Sequence, residues 1–306
     1  MSVIGLVELL APRYSRRRLV LKVLRTGVRS PSSAMSRLAP VNFHNARICA
    51  KLRILCPVCG EESGMDYDFP DVRIRKLHGI GLLRETLCCK SCGATMRDRQ
   101  MALGLLDAVE SVSRQHRNTL RELRDDPVVS VRILDTDSFS PLNQILRGMP
   151  GYSHSQYKSE LGGVSRLPDG SLNVDLLSMP FEDGSFDIIM TSDVMEHVAE
   201  DDRAHREIYR CLAPSGVYVF TVPYDGTMEG TRRLTLPSGN PAGPFFVELH
   251  VHGDPHSSSG IIAHRIYGSA FLREMTAIGY DIQFREMDIP RHGVFTGDIF
   301  LASRRA

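Results

Sequence analysis

The sequence predicts an α/β protein: a mostly parallel sheet covered on both faces, preceded by a small N-terminal module built on four cysteines. Three observations predict it. From residue 128 onward, short β-like runs alternate with helical stretches and brief links, the pattern of a sheet whose crossovers are helices. Ahead of that half stand two Cys-x-x-Cys-Gly knuckles, at 56–60 and 89–93. Charge divides the chain as well. Residues 1–55 hold eleven Lys/Arg and a single acid, Glu8, whereas residues 56–306 hold 26 Lys/Arg and 35 Asp/Glu.

A chain of 306 residues allows one large domain or two smaller ones. With 42% hydrophobic and 24% charged residues, collagen-like, low-complexity and wholly disordered readings are excluded. No apolar run approaches the ~18–20 residues of a membrane-spanning helix. The expected organisation is a basic helical segment and linker over 1–50, a zinc-ribbon-like module over 51–100, a connecting helix over 101–127 and an α/β domain over 128–306.

Residues 1–30 read as one or two short helices broken at Pro12. Leu19, Leu21, Val23 and Leu24 lie among Arg16, Arg17, Arg18, Lys22 and Arg25. A solvated or docked basic helix accounts for this, and so does peripheral contact with an anionic lipid surface, a nucleic acid or a partner. The apolar stretch Val3–Ala11 precedes the charges rather than following them, so it is not a standard secretory signal. The Ser/Pro-rich run 29–40 reads as a linker. The expected location is cytoplasmic.

Seven cysteines stand at 49, 56, 59, 88, 89, 92 and 211, five of them within 37 residues. The odd count and tight spacing favour a metal site in a reducing compartment over disulfides. Cys56, Cys59, Cys89 and Cys92 supply four thiolates, the ligand set of a closed, structural Zn²⁺ site. Cys88 competes with Cys89 as third ligand, and the Cys-x-x-Cys spacing favours Cys89.

Residues 96–123 carry Met101, Leu105, Ala108 and Val109 at helical spacing and read as one helix ended by Asp125-Asp126-Pro127. Strands follow at 129–135, 151–157, 171–174, 186–191 and 217–222. A short helix is expected over 141–147. Another is expected over 201–212, with Ala204, Ile208, Cys211 and Leu212 on one face and Asp201 or Asp202 as cap. A last helix over 269–278, ended by Gly279, precedes strands at 280–285 and 295–302.

The most informative stretch is 173–223. It supplies Asp175, Met179-Pro180-Phe181, Asp183-Gly-Ser-Phe-Asp187, Glu196-His197-Val198 and Leu212-Ala-Pro-Ser-Gly216. In these motifs the chain resembles the class I S-adenosylmethionine-dependent methyltransferases of the type 11 kind. The resemblance is close over about fifty residues and extends in strand–helix order across 130–306. It implies a Rossmann-like fold and S-adenosylmethionine as cofactor. Ligands of such sheets lie beyond the carboxyl ends of the strands. The resemblance implies that Asp135 fixes the methionine end, directly or through water. It places Gln156 or Glu160 on the ribose hydroxyls. Asp175 would accept from the adenine amino group, Leu176 would donate its N–H, and Ser192 and Asp193 would line the methionine side. One departure stands out. Where the family has a Gly-x-Gly-x-Gly-like loop, this chain reads Asp135-Thr-Asp-Ser-Phe-Ser-Pro141. Either the loop is rebuilt and still binds, or the site is lost.

Glu248-Leu-His250-Val-His252-Gly-Asp254-Pro-His256 packs three histidines and two acids into nine residues. If the backbone is extended, His250 and His252 point the same way. A polar loop, a general base for a substrate hydroxyl and a divalent metal site are the three readings. His197 is a separate catalytic candidate beside the expected cofactor pocket, set against a packing role.

These residues imply a methyltransferase acting on a small-molecule or glycan acceptor. The acidic balance of 56–306 disfavours nucleic acid, which wants a basic groove. The alternatives are a non-catalytic binding protein that keeps the fold, and an RNA methyltransferase gripping phosphate through its basic segment and knuckles.

Overall fold

The computed structural model describes residues 49, 51–67, 82–126, 128, 130–158, 161, 165–234, 251–254 and 257–305. The basic segment and linker (1–48), Glu160, Glu248, His250 and His256 lie outside the described residues. The chain divides into two compact units, one of residues 1–100 with 288–297 and one of 101–287 with 298–306. Among the described residues, no helix is long and apolar enough to cross a membrane.

The first unit holds a three-stranded antiparallel sheet of β1 (Arg53–Leu55), β2 (Glu62–Tyr67) and β3 (Leu87–Cys89), in that order. A short helix α1 (Leu82–Thr86) leads into β3. The pairing of Met65 with Cys89 sets the register of β2 on β3 and returns the second knuckle to the first. The interior of this small sheet is Ile54, Val58, Met65, Tyr67 and Leu87, all buried.

The sequence expectation of one helix over 96–123 is corrected. The chain forms α2 (Met96–Ser113) and then α3 (Leu120–Asp125). Ser113 turns its hydroxyl back onto the Val109 carbonyl (2.7 Å), and Arg114 takes a left-handed φ of 60°. That conformation is costly for a residue with a Cβ and ends the helix. Thr119 then caps α3 by accepting from the Glu122 N–H at 3.1 Å. The apolar face read from the sequence is the buried one: Met101, Leu105, Ala108 and Val109.

The second unit is built on a seven-stranded sheet. Its parallel part comprises β4 (Ile133–Asp135), β5 (Tyr152–Gln156), β6 (Leu172–Asn173), β7 (Phe186–Ser192) and β8 (Leu212–Thr221). Helix α4 (Pro141–Leu146) links β4 to β5, and α5 (Asp201–Cys211) links β7 to β8. Two small antiparallel pairs lie between β8 and the last helix: β9 (Arg232–Arg233) with β12 (Arg265–Ile266), and β10 (Val251–Asp254) with β11 (Ser257–Ile262). The sequence reading treats this stretch as one long loop; its polar, glycine-containing strands carry no apolar alternation to reveal the pairing. Helix α6 (Ala270–Ile278) ends at Gly279, whose φ of 125° suits only glycine. Strands β13 (Tyr280–Ile289) and β14 (Val294–Arg304) complete the sheet.

The strand order is β13-β14-β8-β7-β4-β5-β6. β4 pairs in parallel with β5 and β7, β5 with β6, and β7 with β8, whereas β14 runs antiparallel to β8. The order reverses at β4, so the edge beyond the carboxyl ends of β4, β5 and β7 is a topological switch point. On one side of the sheet Tyr218, Phe220, Phe271 and Phe300 stack or meet edge to face, burying the faces of β8 and β14 under α5 and α6.

The cap of α5 is a second correction. Glu200 occupies the N-cap position without a side-chain bond. Asp201 instead accepts from the Tyr267 hydroxyl (2.9 Å) and pairs with the buried Arg265 at 2.5 Å. A carboxylate in the first turn still complements the helix dipole, so the exchange costs the helix little.

Candidate functional site

The parallel strands bring Asp135, Gln156 and Ser192 to one edge of the sheet, with Asp193 one residue and Asp175 two residues beyond their strands. Asp135 ends β4 with a side chain only 2% exposed. Its Oδ2 accepts from the Tyr152 hydroxyl at 2.8 Å and its Oδ1 from the Asp137 N–H at 2.9 Å. Burial and the nearby Asp135 charge push the Tyr152 hydroxyl well above its ordinary pKa, so it stays a donor.

The glycine-free loop closes on itself. Asp137 Oδ1 accepts from the N–H groups of Phe139 (2.9 Å) and Ser140 (3.1 Å). Ser138 donates to the Ser155 carbonyl, with His154 Nδ1 3.0 Å from its oxygen. Ser140 then caps α4 by accepting from Asn143 N–H. No residue of this loop takes a positive φ, so the turn is made without glycine's conformational freedom. Its amides are satisfied by side-chain oxygens instead.

Gln156 ends β5 and is 7% exposed. Its amide nitrogen donates to Asp169 (2.9 Å) and Ser171 (2.8 Å), while its oxygen, Oε1, is buried without a hydrogen-bond partner among the described residues. An acceptor left so is costly unless a donor arrives. Past β6, Asp175 Oδ1 accepts from Leu177 N–H at 2.9 Å. Neither Asp175 Oδ2 nor the Leu176 N–H has a partner among the described residues. An acceptor and a donor thus stand on adjacent residues, the complement of an amino group beside a ring nitrogen, so the residues present fit an adenine.

Ser192 is half-buried, and Asp193 adopts φ 51°. Asp193 donates its N–H to the Thr221 carbonyl (3.1 Å) and accepts from the Thr221 hydroxyl (2.9 Å), which locks the turn leaving β7 against the end of β8. His197 closes the 3₁₀ turn Met195–His197 with its side chain 9% exposed, and its Nε2 lies 3.7 Å from Oε1 of the fully buried Glu196. Two further partners hold this turn. His264 N–H donates to the Glu196 carbonyl (2.7 Å), and Arg265 donates to the Ala199 carbonyl (2.7 Å). Burial pulls the His264 imidazole below its ordinary pKa, helped by Arg265 and His197. His252 lies in β10 opposite Ile261, in extended backbone with a bulge before Asp254.

In the first unit, the Sγ atoms of Cys56, Cys59, Cys89 and Cys92 all lie within 4.8 Å of one another. Cys56 and Cys92 are 3.8 Å apart, and Cys59 and Cys89 are 4.0 Å apart. A tetrahedron with metal–sulfur bonds of about 2.3 Å has edges of about 3.8 Å. The donor set therefore fits a tetrahedral, thiophilic metal. The knuckle glycines Gly60 and Gly93 take φ of 77° and 79°, and each donates its N–H to the carbonyl of its knuckle's first cysteine at 2.8 Å. Crowding couples the four thiols. The bond to Cys56 draws Cys59 down to about 7 and Cys89 lower still, while Cys56 and Cys92 are pushed up. A cation is what allows all four to ionise together. Cys88 is not among the four, because alternation along β3 turns it away from Leu87 and Cys89, which are buried.

Residues missed in the sequence are Arg99, Tyr152, His264 and Arg265. Both arginines are buried to within 2%. Their signal is position: Arg99 follows Met96 by three on a helix, and Arg265 sits between Ala263 and Tyr267 in an apolar run.

The arrangement has known counterparts. A protein-family profile described as a methyltransferase domain matches residues 159–220, which carry β6, β7, α5 and most of β8. The fold is that of the class I methyltransferases. Among curated proteins, none matches the chain. Solved structures similar to it include an S-adenosylmethionine-dependent methyltransferase from Methanosarcina mazei, at 17% identity and a TM-score of 0.36, covering 57% of this chain and 93% of that one. Another, from Mesorhizobium loti, has 17% identity and a TM-score of 0.38, covering 65% of this chain and 100% of that one. The [4+2]-cyclase SpnF has 18% identity and a TM-score of 0.38, covering 68% of this chain and 82% of that one. The methyltransferase-fold assignment rests on strand order and the profile, not on these distant likenesses.

Proposed function

We propose that the chain is an S-adenosylmethionine-dependent methyltransferase with a structural zinc site at Cys56, Cys59, Cys89 and Cys92, acting on a small-molecule or glycan acceptor in a reducing compartment. The observation that carries the reading is the open acceptor–donor pair of Asp175 and Leu176 beyond β6, inside the stretch that matches the methyltransferase profile. When bound, S-adenosylmethionine supplies a methyl group on an electrophilic sulfonium. The chain's part is to bind and position. Asp175 and Leu176 hold the base, the orphan oxygen of Gln156 takes a ribose hydroxyl, and the Asp135 loop with Ser192 and Asp193 walls the methionine side. His197, steadied by Glu196, holds the proton that a hydroxyl acceptor gives up; His250 and His252 are the other candidates for that task. The site of four thiolates has no open position, so zinc shapes the module rather than acting on substrate. The acidic balance of 56–306 supports an uncharged or cationic acceptor over nucleic acid, and residues 1–30 supply peripheral contact with a membrane or partner.

One observation favours a second reading. The loop after β4 satisfies its amides internally, which suits a methyltransferase-fold protein that binds a partner without catalysis. Calorimetric titration of the zinc-replete protein with S-adenosylmethionine and S-adenosylhomocysteine separates the two. Micromolar binding that weakens in Asp175→Ala supports the enzyme. No binding at millimolar cofactor, in a folded protein, supports the binding protein.

A further inference from the structure

Arg99 is the anomaly of the first unit. Its side chain is fully buried, yet among the described residues it makes no ion pair. All its bonds run to backbone carbonyls: Nε to His292 (2.9 Å), Nη1 to Leu87 (3.1 Å) and Ala94 (2.6 Å), and Nη2 to Gly293 (2.8 Å). Carbonyl dipoles alone seldom repay the desolvation of a guanidinium. The neighbouring carboxylate, Asp98, is engaged at the start of α2 by the Thr95 N–H and hydroxyl.

The carbonyls it chooses are informative. The Ala94 oxygen also accepts from the Cys89 N–H at 2.8 Å and so closes the second knuckle. Leu87 lies two residues before Cys89 in β3. His292 and Gly293 form the tip between β13 and β14, and His292 Nδ1 donates to the carbonyl of Leu55, the residue before Cys56, at 2.7 Å. Space at the tip is also committed: a Cβ on Gly293 would lie 3.2 Å from Arg99 Nε and 3.1 Å from Ile54. Arg99 and His292 therefore tie one hairpin tip to both cysteine knuckles.

We infer that Arg99 and His292 make metal occupancy of the four-cysteine site and the seating of the 290–293 tip one cooperative event. The metal would fix the two knuckles on a common centre, and the carbonyls of Leu87, Ala94 and Leu55 beside those knuckles are the points from which Arg99 and His292 hold the tip. Remove the metal and the knuckles lose that centre. The anchoring carbonyls then lose their fixed spacing, and the tip they hold is released. The inference rests on the zinc reading of the proposed function.

The test uses the full-length zinc-loaded protein. Zinc release to a chromogenic chelator is followed for the wild type, Arg99→Met and Arg99→Lys, with hydrogen exchange read over 288–297 and, as control, over β7. Arg99→Met is expected to lose zinc at least tenfold faster and to expose the 288–297 amides while β7 stays protected. Arg99→Lys keeps the charge but not the fork, so it cannot reach all four carbonyls, and both its zinc release and its tip exchange should be faster than in the wild type. If Arg99→Met does not fold, the stripped wild type replaces it, and its 288–297 amides should lose protection. Zinc release from Arg99→Met within twofold of wild type, or a tip that stays protected in the stripped protein, overturns the inference alone. A wild type that binds no zinc overturns the zinc reading and this inference with it.

Discussion

Tyr152 opens β5 and donates its hydroxyl across the sheet to the buried carboxylate of Asp135 at the end of β4, at 2.8 Å. The parallel register sets Ile133 beside Tyr152 and Asp135 beside His154, so the tyrosine reaches along the strand pair rather than straight across. Asn143 of α4 donates to the same hydroxyl at 3.1 Å, linking helix, strand and loop. Tyr152→Phe leaves a buried carboxylate short of one donor. Such a loss costs about 1–3 kcal/mol. The urea midpoint should fall accordingly with an unchanged slope, and an unmoved midpoint would show that the hydroxyl does not hold the loop.

His205 gives stability a pH dependence. It is 2% exposed, ringed by Tyr218, Phe220 and Phe271, and neither ring nitrogen has a hydrogen-bond partner among the described residues. Burial, reinforced by Arg265, draws its pKa down to about 3. The unfolded chain takes up that proton near pH 6.5 and the folded chain does not. The contribution is therefore complete above about pH 6.5 and is lost as pH falls toward 3, at up to about 1.4 kcal/mol per unit. His205→Phe should flatten the melting-temperature profile between pH 6.5 and 4 relative to wild type. Parallel profiles for the two proteins would refute it.

The four-thiolate assignment separates neighbouring cysteines. Cys92→Ser should release the bound metal and unfold the first unit's sheet, whereas Cys88→Ser should keep one zinc per chain, because β3 points Cys88 away from the other sulfurs. Metal content after dialysis measures both. Equal zinc loss in the two variants would contradict the geometry.

The parts that were legible in the sequence are those where one residue pattern has one physical meaning. Residues 186–191 are mostly apolar and become the largely buried central strand; Ala204, Ile208 and Cys211 recur at helical spacing and form the buried face of α5. Asp135 and Gln156 are polar residues ending β-like runs, and they lie at the switch-point edge. The illegible parts share a cause: local signal and tertiary outcome disagree. Arg114 breaks a helix without glycine or proline to announce it. Arg99 and Arg265 look like solvated charges in periodicity, yet their partners are distant in sequence. Asp201 fits the pattern of a cap, but Tyr267 and Arg265 claim its carboxylate.

Cofactor recognition should be uneven along the ligand. Among the described residues, Asp175 and Leu176 beyond β6 keep an acceptor and a donor open, so in the proposed enzyme the adenine end would meet preformed partners. At the methionine end of that proposed site, the Asp137, Phe139 and Ser140 amides already bond to Asp135 and Asp137 oxygens. A tail carboxylate must displace those bonds before it gains any, so its net worth is small. S-adenosylhomocysteine and 5′-methylthioadenosine, which lacks the tail, should therefore bind within about tenfold of each other, a difference of about 1.4 kcal/mol. Asp175→Ala should weaken both by a similar factor of about ten, because both carry the adenine whose amino group loses its acceptor. Calorimetry with the two ligands on wild type and variant decides the matter. A preference for S-adenosylhomocysteine of a thousandfold would mean that the loop opens on binding and that its amides, once freed from Asp137, grip the tail.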